Sequence, residues 1–360
     1  MSNNGQIITI LDGGLGHELK LRGISDGTFL AGVLANEENC GTGDNKDTVE
    51  SIHMDYLAAG CDVITTNSFV AVPQRMIECG LVTNEANSNS RASELIRASV
   101  DRARAAIIKY EKEVGKNKKK KLIAGCVPPL TECYFSRKVP TSVNDLMPEY
   151  TTIVSTLLDC KVDILLAETL STTREALAIL RSVSGIQKMG THHIPPLWIS
   201  FTIHDDRPTK LRSDEPLDTA CQNIIQEASS LDLPLEAIGV NCATPNAISS
   251  AVPILTKMVE GTNIKVCAYG NCFRTTTSEW IHSLDEDSKG GEGSFATDVM
   301  KQTTYCAEDF DKEGYLLPDA YAKFASEFVQ KGATIIGGCC GSRPKHMYKV
   351  ASALKHDQES

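Results

Sequence analysis

Apolar residues in this chain fall in short continuous runs instead of alternating with polar ones. Runs rich in Val, Ile and Leu lie at Ile7–Leu11, Val63–Thr66, Leu122–Cys126, Ile164–Ala167, Leu197–Thr202, Ala237–Asn241, Lys265–Tyr269 and Ala333–Gly337. Strands buried on both faces read this way. Between the runs the spacing becomes helical. Thr48–Ala59 places Val49, Ile52, Tyr56 and Leu57 on one side ahead of Gly60. Asn87–Lys112, Val143–Leu158, Thr172–Val183, Asn246–Val259 and Asp319–Gly332 follow the same logic. Ser342-Arg343-Pro344 opens a last helix through Lys355, the serine suiting the cap and the proline the first turn. Eight β-then-α units in series predict an α/β fold, a (β/α)8 TIM barrel forming one domain over residues 1–360. A doubly wound open sheet is the alternative with the same alternation. Ser25–Asp47 and Phe273–Glu313 break the rhythm with polar, glycine-rich sequence. Neither has the apolar content for a core of its own, so both are expected to be loop insertions at the C-terminal face.

The charge balance narrows the partners. The chain has 360 residues and a net charge of -10. An acidic balance without a basic stripe argues against nucleic acid. The basic run Lys118–Lys121 sits in a polar segment and reads as a solvated loop. No run of apolar residues is long enough to span a membrane. The start MSNNGQ has neither a basic nor an apolar leader region. A cytoplasmic protein, monomeric or a small homo-oligomer, acting on small molecules is the expectation.

Chemistry enters through cysteine and the strand ends. There are 13 cysteines, an odd count that reads as reduced thiols, some of them available for metal or catalysis. In a barrel, chemistry collects where strands finish. Strand one finishes at Asp12-Gly13-Gly14, strand two at Thr66-Asn67-Ser68-Phe69, strand four at Glu168, strand six at Cys242, strand seven at Asn271, and strand eight at Gly337-Gly338-Cys339-Cys340-Gly341. The vicinal pair Cys339-Cys340 can reach one metal if the flanking glycines let the backbone turn sharply. A third thiol from Cys242, or from Cys126, Cys267 or Cys272, completes three ligands and leaves a fourth position open, the arrangement of a catalytic zinc. A substrate thiol there would lose its proton and become a nucleophile. Two core cysteines in a tight turn are the plainer alternative. Cys40, Cys61, Cys79, Cys133, Cys160, Cys221 and Cys306 read as packing or incidental.

At LDGGLGHEL (Leu11–Leu19), ITTNSF (Ile64–Phe69), GVNC (Gly239–Cys242) and GGCCG (Gly337–Gly341) the chain resembles the zinc-dependent homocysteine S-methyltransferases. The resemblance runs from Leu11 to about Lys355. It implies zinc on Cys242, Cys339 and Cys340, which are then both metal ligands and catalytic residues. It implies that Asp12 and Glu168 hold the amino group of L-homocysteine and that the Gly13 and Gly14 amides receive its carboxylate. The implied reaction is direct methyl transfer from a sulfonium donor, S-methylmethionine or S-adenosylmethionine, producing methionine, with betaine as the alternative donor. Phe69, Tyr134 or Phe135 would face the donor cation, though such residues more often simply pack, and Asn67 and Asn271 would orient its polar groups or equally serve turns. The third strand ends GCVPP where the family often reads GSVGP, and the seventh ends AYGNC where relatives often read VYPNSG. Both segments face the donor, and the two insertions would cover the mouth as lids.

Two other classes are weighed. A zinc hydrolase of this fold usually carries a His-x-His pair on its first strand, and the eight histidines here supply none. A non-catalytic zinc- or thiol-sensing protein would close its metal with four protein ligands and ignore homocysteine.

Overall fold

The computed structural model describes residues 7–23, 29–37, 48–115, 119–273 and 307–356. Its frame is eight parallel strands: β1 (Thr9–Ile10), β2 (Val63–Thr65), β3 (Leu122–Val127), β4 (Ile164–Leu170), β5 (Leu197–Phe201), β6 (Leu235–Asn241), β7 (Lys265–Gly270) and β8 (Ile335–Gly338). Neighbours run β1-β8-β7-β6-β5-β4-β3-β2, and a parallel bridge from Leu11 to Val63 closes the ring. The expected (β/α)8 TIM barrel is therefore the fold. Each expected strand appears within a few residues of its apolar run.

The larger helices between strands are α3 (Thr48–Ala58), α5 (Glu85–Val114), α6 (Val143–Asp159), α7 (Thr173–Met189), α8 (Leu217–Ser230), α9 (Pro245–Met258), α10 (Pro318–Gln330) and α11 (Pro344–His356). Shorter ones, α1 (Leu15–Leu21), α2 (Phe29–Leu34) and α4 (Pro73–Glu78), decorate the loops after β1 and β2. The sequence pattern had marked neither these nor α8. Two cores result. Leu11, Val63, Ile164, Leu166, Trp198, Cys267, Tyr269 and Ile335 fill the barrel interior, and a larger apolar layer joins the strands to the helix ring.

Three expectations change. Glu168 lies within β4 instead of beyond it, because the β4–β5 register shifts between Ala167 and Leu170, where Thr169 takes a φ of +61°. Ser342 does not cap α11. Its hydroxyl donates to the Cys339 carbonyl at 2.7 Å and accepts from the Gly14 amide at 3.1 Å, so it ties the β8 turn to the β1 turn. Lys121 is not solvated: it is buried, and its Nζ donates to the Cys61 carbonyl at 2.6 Å and lies 3.6 Å from Asp62. Most of the two insertions, and the lid role given them, falls outside the described residues.

Candidate active site

Two turns at the C-terminal mouth bring the three thiols together. After β6 the chain turns at Cys242, which adopts a φ of +55°. Its amide donates to the Tyr269 carbonyl of β7 at 3.2 Å. After β8 the backbone turns at Cys339-Cys340, with Gly341 at a φ of +78°, a conformation that suits glycine. Gly338 serves by its smallness: a Cβ there would stand 2.2 Å from the Ser342 hydroxyl. Cys339 donates its amide to Gly270 and Cys340 accepts from Cys272, so both ends of the turn are pinned to β7.

The sulfur atoms of Cys242, Cys339 and Cys340 all lie within 4.8 Å of one another. Among the described residues no other group of three His, Cys, Asp or Glu ligands converges so closely. Cys242 and Cys340 Sγ are 3.7 Å apart. Two thiolates bound tetrahedrally at ~2.3 Å stand about 3.8 Å apart, so the pair already has the spacing zinc requires. Hydrogen bonds from the Cys339 and Cys340 thiols draw Cys242 well below the ordinary thiol range, against burial and with help from the Tyr134 hydroxyl and the Arg212 guanidinium. The same bonds push Cys339 and Cys340 up. The competing thiols are placed elsewhere: Cys267 packs in the barrel interior, Cys272 in the outer core, and Cys126 Sγ donates to Glu168 Oε1 at 3.2 Å.

The two acidic residues face the same mouth. Asp12 is buried and accepts from the Thr65 amide and the Thr65 hydroxyl, each at 2.8 Å. Burial pushes its carboxyl up to about 8 despite those bonds, and the Glu168 charge adds to the rise. Burial likewise pushes Glu168 up to about 7, opposed by the Cys126 thiol and reinforced by the Cys242 charge. Neither forms an ion pair among the described residues. Asn241 braces this side: its Oδ1 accepts from the Thr169 amide (2.9 Å) and Ser200 hydroxyl (2.8 Å), and its Nδ2 donates to Thr169 Oγ1 (2.7 Å). The Gly14 amide donates to the Ser342 hydroxyl and, at 3.2 Å, to its carbonyl.

The remaining expected residues divide. Asn271 is buried, and its side-chain oxygen has no partner among the described residues. Asn67 is occupied elsewhere, its amide donating to the Gly32 carbonyl of α2 at 2.8 Å. Phe69 and Tyr134 line a cavity of about 610 Å³ with Arg75, Cys133 and Glu149. Phe135 carries the Lys138 ammonium 4.8 Å from its ring centroid. A second cavity, about 650 Å³, lies around Lys257 and Thr334 at the opposite end of the barrel, away from the thiols. Sequence reasoning missed Thr65, Asn241 and Arg212, and it gave Tyr134 only a donor role. Asn241 had a signal, since it stands inside GVNC.

A barrel with three converging thiols and two cation-less carboxylates at its mouth is an enzyme built around sulfur chemistry. The sequence model of the homocysteine S-methyltransferase family matches residues 9–354, and the chain belongs to that family. Homocysteine S-methyltransferase 4 of Zea mays is 24% identical, over 96% of this chain and 89% of its own. Homocysteine S-methyltransferase YbgG of Bacillus subtilis is also 24% identical, over 96% and 94%. The metallated crystal structure of the homocysteine methyltransferase MmuM from Escherichia coli shares the fold with a TM-score of 0.69, at 22% identity and over 96% of both chains.

Proposed function

We propose that this methyltransferase moves a methyl group from a sulfonium donor, S-methylmethionine or S-adenosylmethionine, to the thiol of L-homocysteine, with a zinc ion held by Cys242, Cys339 and Cys340. The convergence of those three thiols at the mouth carries the reading. Those three thiolates would hold the ion with one position open to a substrate thiol, whose proton the bound metal would make easier to lose.

The chain's own residues would do the rest. Asp12 and Glu168 repel one another when both are ionised, and a substrate ammonium between them relieves that repulsion. Thr65 fixes the first carboxylate and Cys126 the second before substrate arrives. The substrate carboxylate is assigned to the Gly13 side of the β1 turn, because the Gly14 amide expected to share it is taken by Ser342. The cavity behind Tyr134 and Phe69 offers the donor aromatic surface, which favours a cation. The unpartnered oxygen of Asn271 is an acceptor for a polar donor group. Transfer joins a thiolate to a cationic donor and leaves neutral products, so the buried mouth favours it by excluding water.

The test is methionine formation. Reduced, zinc-loaded protein is incubated with homocysteine and, separately, S-methylmethionine, S-adenosylmethionine or betaine, and methionine is measured by mass spectrometry. Methionine from a sulfonium, abolished in Cys340→Ala, is the expected result. Methionine from betaine alone would keep the acceptor and replace the donor. None from any donor, with zinc bound, would overturn the reading.

A further inference from the structure

The segment after β5 carries a buried ion pair between Asp205 and Arg212. Residues 202–216 fold back on themselves, Ile203 pairing antiparallel with Leu211 and Lys210 with Pro216. Two bonds fasten this fold-back to the turn that holds Cys242. The Thr202 hydroxyl donates to the Cys242 carbonyl at 3.2 Å, and Asp205 Oδ1 accepts from the Thr244 amide at 2.7 Å. Asp205 Oδ2 in turn lies 3.2 Å from Arg212, with side chains only 4% and 3% exposed. A buried pair of this kind stabilises little by itself, because desolvation of both ions offsets their attraction.

Its neighbour supplies a reason for it. The Arg212 guanidinium lies 5.5 Å from the centroid of the Tyr134 ring, and the Tyr134 hydroxyl is 2.8 Å from Cys242 Sγ. The Ser136 hydroxyl donates to the Arg212 carbonyl at 3.0 Å, joining the loop that carries Tyr134 to the fold-back. A planar guanidinium against an aromatic face holds the ring more rigidly than an aliphatic side chain would. With Arg212 against the ring and the two loops tied together, the Tyr134 hydroxyl stays on one thiol of the cluster.

We propose that Arg212, held by Asp205, is a positioning residue that fixes the Tyr134 hydroxyl against Cys242 and thereby sets how tightly the thiol cluster holds its metal. The proposal rests on the zinc reading above. Partners that orient a metal ligand typically change metal affinity by roughly 10–100-fold when lost.

The test is a double-mutant cycle on zinc affinity, measured by chelator competition on the full chain, with Tyr134→Phe, Arg212→Met and the double variant, and melting temperature as the fold control. Each single variant is expected to weaken zinc binding by about 10-fold or more. The double variant should bind no more weakly than the worse single, because both changes break one linkage. Arg212→Lys should not restore affinity, since it keeps the charge but lacks the plane; where Arg212→Met does not fold, it takes that place in the cycle. Losses that add, or unchanged affinity with only a lower melting temperature, would overturn the proposal. Failure of the unsubstituted chain to bind zinc would instead remove the reading on which it stands.

Discussion

A carboxyl group that loses water without gaining a cation keeps its proton, and Asp12 is such a group. Its carboxyl is pushed from 3.8 to about 8 by burial. Between those values the folded chain holds a proton that the unfolded chain has released. The folded state is therefore favoured most below about pH 4, and this contribution falls as pH rises towards 8. Melting curves of reduced, metal-free protein over that range should show a decline that Asp12→Asn reduces; an unchanged slope would contradict the assignment. Glu168 acts in the same sense, towards about 7. If Glu168 holds the substrate ammonium as proposed, Glu168→Gln should raise KM for homocysteine by about 10-fold or more, on the scale of a charge-assisted hydrogen bond. Much at this scale was legible beforehand: Asp12, Glu168 and the thiols stand at strand ends within short motifs. Tyr134, Asp205 and Arg212 were not, because their meeting with Cys242 joins loops after β3, β5 and β6 that share no local pattern.

At the scale of elements, the strands read clearly because parallel strands covered on both sides need unbroken apolar runs. The long helices read nearly as clearly; α7 extends to Met189 before Gly190 stops it with a φ of +67°. Helix α8 had a signal that went unused, Leu217, Ala220, Cys221, Ile224 and Ala228 following Pro216 at helical spacing. Helices α1 and α4 are too short for a period to register. Helix α3 contains a residue no pattern explains. His53 is fully buried, neither ring nitrogen has a partner among the described residues, and burial lowers its pKa from 6.5 to about 3. The unfolded chain takes up a proton there as pH falls below 6.5, while the folded chain does not until about 3, so stability is lost across that window. His53→Leu should stabilise the protein by about 1 kcal/mol near neutrality and more at pH 5, read from chemical denaturation. A destabilised variant would mean that the imidazole has a partner the packing does not reveal.

Across the whole molecule, β1 and β2 meet through the Leu11–Val63 bridge and a backbone hydrogen bond from the Asp62 amide to the Ile10 carbonyl at 2.7 Å. The Asp62 side chain reinforces this seam from the end opposite the thiols. Its carboxylate accepts from the Ile10 amide at 3.0 Å and lies 3.1 Å from Lys355 and 3.6 Å from the buried Lys121. One side chain thus ties β1, the start of β3 and the last helix. Asp62→Ala would leave Lys121 buried without its counter-charge, and should cost about 3 kcal/mol in equilibrium unfolding. A loss below about 1 kcal/mol would show that solvent reaches Lys121. The fold as a whole was legible from eight repeated units; the pairing of β1 with β8 was not, because those strands lie at opposite ends of the chain and meet only when the ring forms.

The proposed zinc on Cys242, Cys339 and Cys340, with one position left for a substrate thiol, is open to a single spectroscopic test. The zinc-edge X-ray absorption spectrum of the reduced, zinc-loaded protein is recorded before and after homocysteine. Three sulfur neighbours and one lighter atom are expected, becoming four sulfurs at ~2.3 Å when homocysteine is added. A shell of four protein ligands that homocysteine leaves unchanged would contradict the proposal.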